Sequence, residues 1–149
     1  MMKEDMERMH KKMAVDLFNQ TWNYLNSNTR SEEDNYLMIH TAHASLYHWY
    51  QVGDILNLAR GEWMISHVYG VLQLGESALY HGKRSLTLCL ENAIHDFDLA
   101  FAYETIARAY KAMNHMIDYT HYYDLALEAG ESIQKDEDRE YFMEQLQLL

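Results

Sequence analysis

Apolar residues recur every three to four positions along almost the whole chain, and no stretch alternates apolar with polar as a half-buried strand would. In the first segment Met6, Met9, Met13 and Leu17 follow this spacing, continued by Phe18, Trp22 and Tyr24. The stripe is expected to face a core, and it stops near Asn26-Ser27-Asn28, residues that favour caps and turns. Ser31-Glu32-Glu33-Asp34 opens a second helix, with a serine cap and acids suited to the helix dipole. Its apolar side reads Leu37, His40, Ala44, Tyr47 and Tyr50, and Gly53 ends it. Asp54 caps a third helix through Leu56, Ala59, Trp63, Ser66, Tyr69 and Leu72, stopping near Gly75. A fourth runs from Glu76 through Leu79, Leu86 and Cys89 to Asn92. A fifth starts at Asp96 and Asp98 and runs past Phe101, Ile106 and Tyr110 to Asn114. A sixth spans about Met116 to Ile133. After Lys135-Asp136-Glu137-Asp138, a last amphipathic helix carries Phe142, Leu146 and Leu149. Seven helices in one domain, residues 1–149, is the expectation.

The pattern also repeats. Sliding the chain by 41 positions sets Ala59 on Ala100, Ile65 on Ile106, Tyr69 on Tyr110 and Leu86 on Leu127. Ser66 then meets Ala107, Val68 meets Ala109 and Ser85 meets Ala126, so small positions fall on small ones. Two antiparallel helices approach closely only where one face is small, and each hairpin leaves an apolar face for the next hairpin to cover. Within Trp63 to Leu86, the ordered set Ile65-Ser66, Tyr69, Ala78 and Ser85-Leu86 resembles the tetratricopeptide repeat family. Tyr103, Ile106-Ala107, Tyr110 and Ala126-Leu127 give a second copy, with Tyr119 where the family has alanine. Ser66, Ala107, Gln73 and Asn114 stand where the family usually has glycine, no proline follows the second helix, and the period is seven residues longer. The resemblance covers residues 59–134, and residues 1–53 fit a third, degenerate hairpin. It implies an all-α, right-handed superhelix of about three hairpins plus a C-terminal capping helix.

Composition narrows the class. Hydrophobic residues make up 48% of the 149 residues, charged residues 23%, and proline is absent. These values exclude a disordered chain and favour long helices over many short strands. The formal net charge is −11, which opposes a nucleic-acid or anionic membrane partner. The polar start from Met1 to Glu7 has no apolar leader stretch, and no run of 18 apolar residues spans a bilayer, so a cytoplasmic protein is expected. One cysteine, Cys89, excludes an internal disulfide.

Candidate chemistry is sparse. His40 and His43 lie three apart on one helix face, with Tyr47 a turn beyond, a spacing from which two histidines share a metal or small ligand. No third ligand is fixed and no His-Glu-x-x-His motif occurs, so hydrogen-bonded histidines are the plainer reading and no cofactor is implied. Cys89 lies in the apolar run Leu86-Thr87-Leu88-Cys89-Leu90, as a buried small residue does. No nucleophile elbow or phosphate loop is present, and a non-catalytic role is expected. The family resemblance implies a concave groove lined by the first helix of each hairpin. Its groove positions correspond to Arg60, Trp63 and His67 on the third helix and to Phe101, Glu104, Arg108 and Lys111 on the fifth. Arg60, Arg108 and Lys111 then form a basic strip suited to an acidic segment of a protein or peptide partner. The competing reading pairs Glu104 with Arg108 along the helix, and Arg60 with a nearby acid such as Glu62 or Glu104. A sensor using His40, His43 and Tyr47 is the alternative function, and a homodimer through the last helix the structural one.

Overall fold

The computed structural model describes residues 2–149, and those residues form seven α-helices and no strand. They are α1 (Lys3–Asn26), α2 (Glu32–Val52), α3 (Ile55–Val71), α4 (Gly75–Glu91), α5 (Asp96–Ala112), α6 (Met116–Glu131) and α7 (Asp136–Gln147). Consecutive helices pair as three hairpins, α1 with α2, α3 with α4 and α5 with α6. Each hairpin packs its first helix on the preceding hairpin: α3 lies against α2, and α5 against both α3 and α4. The last helix, α7, closes the stack against α5 and α6. The architecture is all-α and built as a helical repeat.

Local chemistry sets the boundaries. Ser31 and Asp54 each form a reciprocal capping box, with Asp34 and Asn57 respectively. At the end of α1, Arg30 Nη1 donates to the carbonyls of Tyr24, Leu25 and Ser27, filling acceptors that the helix leaves open. Gly53 ends α2 at φ −86°, so its glycine serves space, since a Cβ there would stand 2.7 Å from the Trp49 carbonyl.

Small residues fix how closely the helices approach. Ser45 on α2 donates to the Ala14 carbonyl on α1 (2.7 Å), and Ser85 on α4 donates to the Ala59 carbonyl on α3 (2.9 Å). Ser66 on α3 donates to the Ala78 carbonyl at 2.7 Å, which spends its proton, so Thr105 on α5 donates to Ser66, also at 2.7 Å. Gly82 sits at the same junction: a Cβ there would lie 3.0 Å from Ser66 Oγ and 3.1 Å from Ile106. Ile65, Val68, Met64 and Ile106 fill the surrounding core.

Two expected core faces are rotated. On α1 the first part of the expected stripe, Met6, Met9 and Met13, is exposed, because α1 meets α2 through the adjacent face carrying Ala14 and Thr21. Phe18, Trp22 and Tyr24, further along, pack against the core. Helix α2 buries Met38, Thr41, Ala42, Ser45 and Leu46, while Leu37, Tyr47 and Tyr50 face outward. Small and hydroxyl-bearing residues win the contact side because the backbones come close there, and the large aromatics are displaced from it.

The turns between repeat helices bear backbone strain. Gln73, Ala93 and Asn114 adopt the left-handed region, at φ 63°, 54° and 60°. Alanine and glutamine pay about 1–2 kcal/mol there, and asparagine less. Ala93→Gly and Gln73→Gly are therefore expected to stabilise the protein by about 0.5–1 kcal/mol, net of glycine's entropy in the unfolded chain. Asn114→Gly should change stability much less. Urea denaturation of the three variants measures the order, and a larger gain at Asn114 than at Ala93 would contradict it.

Candidate functional site

Because the hairpins stack with a curve, their first helices share an inner face. A cavity of about 140 Å³ opens on it, walled by residues from five helices. Phe18 and Trp22 come from α1, Arg60 and Trp63 from α3, Phe97, Asp98 and Phe101 from α5, and Tyr141 from α7. Ala59, Ser85 and Cys89 form its deeper part. Phe101 is the hub, edge-on to Trp63 (5.6 Å between centroids), to Phe97 (4.8 Å) and to the fully buried Phe142 (4.8 Å). Trp22 lies 6.0 Å from Trp63 and Tyr141 6.0 Å from Phe101. The cavity's volume is close to that of an apolar cavity able to hold a benzene ring.

The polar groups around the cavity are already engaged. Ser85 Oγ is committed to the Ala59 carbonyl. Burial, and then the nearby Asp98 charge, push the Cys89 thiol up to about 11, so it stays protonated and unreactive near neutral pH. At the rim Arg60 donates to both Asp98 oxygens, at 2.9 and 3.1 Å, and that hydrogen bond raises its already high pKa. The pair presents little net charge.

Further along the inner face the chemistry changes. Trp63 stacks on His67, with centroids 4.9 Å apart and planes 14° from parallel. Glu104, 1% exposed, takes two hydrogen bonds from Arg108 on a single oxygen, Oε1, at 2.8 and 3.1 Å. Arg108 lies flat on α3 at Gly70, where a Cβ would come within 2.8 Å of Arg108 Cδ. Lys111 Nζ donates to the main-chain carbonyl of Leu149. Burial raises the Glu104 pKa against the opposing pull of Arg108. Burial, with Arg108 adding to it, pushes His67 down to about 3. Three buried side-chain atoms among the described residues have no partner: Trp63 Nε1, His67 Nδ1 and Glu104 Oε2. An unmet buried polar atom costs about 1–3 kcal/mol, which makes these three conspicuous.

The seven residues expected to line a groove thus divide. Arg60, Trp63 and Phe101 wall the cavity; His67, Glu104 and Arg108 form a polar group beside it; Lys111 stands at the far end, next to Leu149. Sequence reasoning missed Phe18, Trp22, Phe97, Asp98 and Tyr141. One signal for them was present, since Trp22, Trp63 and Glu104 are successively 41 positions apart and so share one place in the repeat.

The histidines expected to act together take different neighbours. His43 Nε2 bonds the Tyr69 hydroxyl at 2.9 Å and its ring meets His81, whose Nδ1 lies 2.7 Å from the buried carboxylate of Glu62. His40 packs on Tyr36, and the exposed Tyr47 packs on His48. Among the described residues no three His, Cys, Asp or Glu side chains are arranged to hold a metal ion. Nor is any described helix long and apolar enough to cross a membrane.

The site defines a class, an array of helical hairpins with an aromatic-walled cavity on its inner face. Against known proteins, the chain matches no family model, no curated protein and no solved structure.

His67 gives a pH signature. In the unfolded chain its imidazole titrates near 6.5, whereas in the folded chain it stays neutral down to about 3. The unfolded state binds the extra proton across that window, so stability falls as pH drops from 6.5 towards 3. His67→Gln should flatten the decline between pH 6 and 4 in urea titrations; an unchanged slope would show that His67 protonates freely in the folded protein.

Proposed function

We propose that this chain is a non-catalytic, tetratricopeptide-like interaction module, and that its inner-face cavity receives one bulky apolar side chain from a protein or peptide partner. The observation that carries this reading is the cavity itself: an open, ring-sized space walled by Phe18, Trp22, Trp63, Phe97, Phe101 and Tyr141, drawn from four helices. Aromatic walls converging on one hole are the usual form of an interface anchor pocket, and they give much contact area for little ordering cost.

The reading shifts the weight from charge to apolar burial. Each cation of the basic strip has an internal partner, Arg60 in Asp98, Arg108 in Glu104 and Lys111 in the Leu149 carbonyl. Acidic groups on the partner add selectivity through the half-exposed Arg60 guanidinium, after the apolar anchor is seated. The net charge of −11 on the whole chain disfavours a partner that is acidic throughout.

Selection of random peptides displayed on phage against the immobilised protein tests the reading. Enriched peptides are expected to share one aromatic, leucine or methionine position. Tyr141→Ala, which opens one wall at an exposed residue, should weaken their binding by about tenfold, or ~1.4 kcal/mol. Peptides with no shared apolar position, or with affinities indifferent to Tyr141→Ala, would remove the cavity from the proposal.

A further inference from the structure

We infer that the inner face carries a hydrogen-bonding subsite beside the aromatic cavity, formed by Trp63 Nε1, His67 Nδ1 and Glu104 Oε2, which takes a carboxamide group of the ligand whose apolar group fills the cavity. This inference rests on the reading of the cavity as a binding site.

The three atoms belong to one neighbourhood. Trp63 walls the cavity with one part of its ring system and stacks on His67 with a face, at 4.9 Å. Phe101 touches the edge of Trp63, and Glu104 follows Phe101 by one turn of α5 on the same side of the helix. Arg108 stands a further turn along, bonds Glu104 through Oε1 alone, and its charge reaches His67. Oε2 is left free although Glu104 is 1% exposed. No other buried side-chain nitrogen or oxygen among the described residues is without a partner, and the three orphans fall on Trp63, on the ring stacked against it and on the residue one turn beyond Phe101.

Their chemistry selects the guest. The Trp63 indole N–H only donates, and an ionised Glu104 oxygen only accepts. A carboxylate would suit Trp63 but meet Glu104 as a like charge. An ammonium would suit Glu104 but oppose the Trp63 N–H, donor against donor, in the field of Arg108. A carboxamide meets both: its carbonyl accepts from Trp63 Nε1, and one N–H donates to Glu104 Oε2. Its second N–H donates to His67 Nδ1 when the His67 proton is on Nε2; burial keeps that ring neutral. A main-chain amide of an extended peptide offers the carbonyl for Trp63 and one N–H for Glu104, whereas a primary carboxamide of a small molecule adds the second N–H for His67.

The test uses the whole chain and follows the tryptophan indole N–H signals by NMR, with the Trp63 signal assigned from Trp63→Phe. Toluene, phenylacetamide and N-acetylphenylalanine N-methylamide are the probes. Toluene should bind weakly, and phenylacetamide at least about tenfold more tightly, moving the Trp63 indole proton downfield. That advantage over toluene should shrink to about threefold or less in Glu104→Gln and in Trp63→Phe. If Glu104→Gln does not fold, Trp63→Phe alone carries the comparison. The peptide-like probe binding more tightly than phenylacetamide supports the subsite and assigns it to a peptide main chain; the reverse supports it for a small carboxamide. Equal affinities for toluene and phenylacetamide in the wild-type protein overturn the subsite and leave the cavity standing. Binding of neither overturns both.

Discussion

The close crossing of α3, α4 and α5 is the constraint on which the rest of the structure depends. Ser66, Ala78, Gly82 and Thr105 meet there, and one hydroxyl-to-carbonyl and one hydroxyl-to-hydroxyl bond, each 2.7 Å, join three helices at a point where no larger side chain fits. Such contacts satisfy the hydroxyls at full burial and let the backbones approach, and that proximity fixes the angle between the second and third hairpins. The curvature of the inner face follows from that angle. It brings Trp63 on α3 and Phe101 on α5 within 5.6 Å of each other, and it sets α1 and α7 as the two flanking walls of one cavity.

Much of this was legible in the sequence, for a physical reason. Helix period, caps and turn residues are local signals, so all seven helices could be placed to within a few residues, and the 41-residue slide marked the small positions that later proved to be the crossings. The contact faces of α1 and α2 were not legible. Periodicity finds an apolar stripe but does not say which of two neighbouring stripes meets a partner, and the methionines of α1 outweighed Ala14 and Thr21 in the pattern while contributing less to the packing. The site was half legible for the same reason. Arg60, Trp63 and Phe101 follow from the repeat, whereas Phe97, Asp98 and Tyr141 join them only through three-dimensional curvature. The pairing of Arg60 with Asp98, 38 positions away, has no local signature at all.

Electrostatics explains why a basic strip in the sequence is not a basic strip in the fold. On a chain with net charge −11 carboxylates outnumber cations, and each cation of the expected strip has a carboxylate or carbonyl beside it. A bidentate guanidinium pair such as Arg60 with Asp98 forms readily once two helices are parallel and adjacent. Arg108 and Glu104 go further: the pair is largely removed from water, and Arg108 engages one carboxylate oxygen while the other stays buried without a partner.

The departures from the repeat, more than the repeat itself, make the site. Positions Phe18, Ala59 and Ala100 are equivalent under the 41-residue slide, and so are Trp22, Trp63 and Glu104, and Asn26, His67 and Arg108. A perfect array would place the same side chain at each, and neighbouring repeats would then fill one another's gaps identically along the stack. Here alanine at 59 follows phenylalanine at 18, so α3 leaves a space that the rings of α1 and α5 border without filling. Carboxylate at 104 follows tryptophan at 63, so an ionisable group is buried where the previous repeat has an indole ring. Packing alone gives no reason for either change, since both forgo contacts or hydrogen bonds that a regular repeat would make. A cost that the fold does not require, confined to one face and to adjacent positions, is what supports the proposed reading of that face as a binding site.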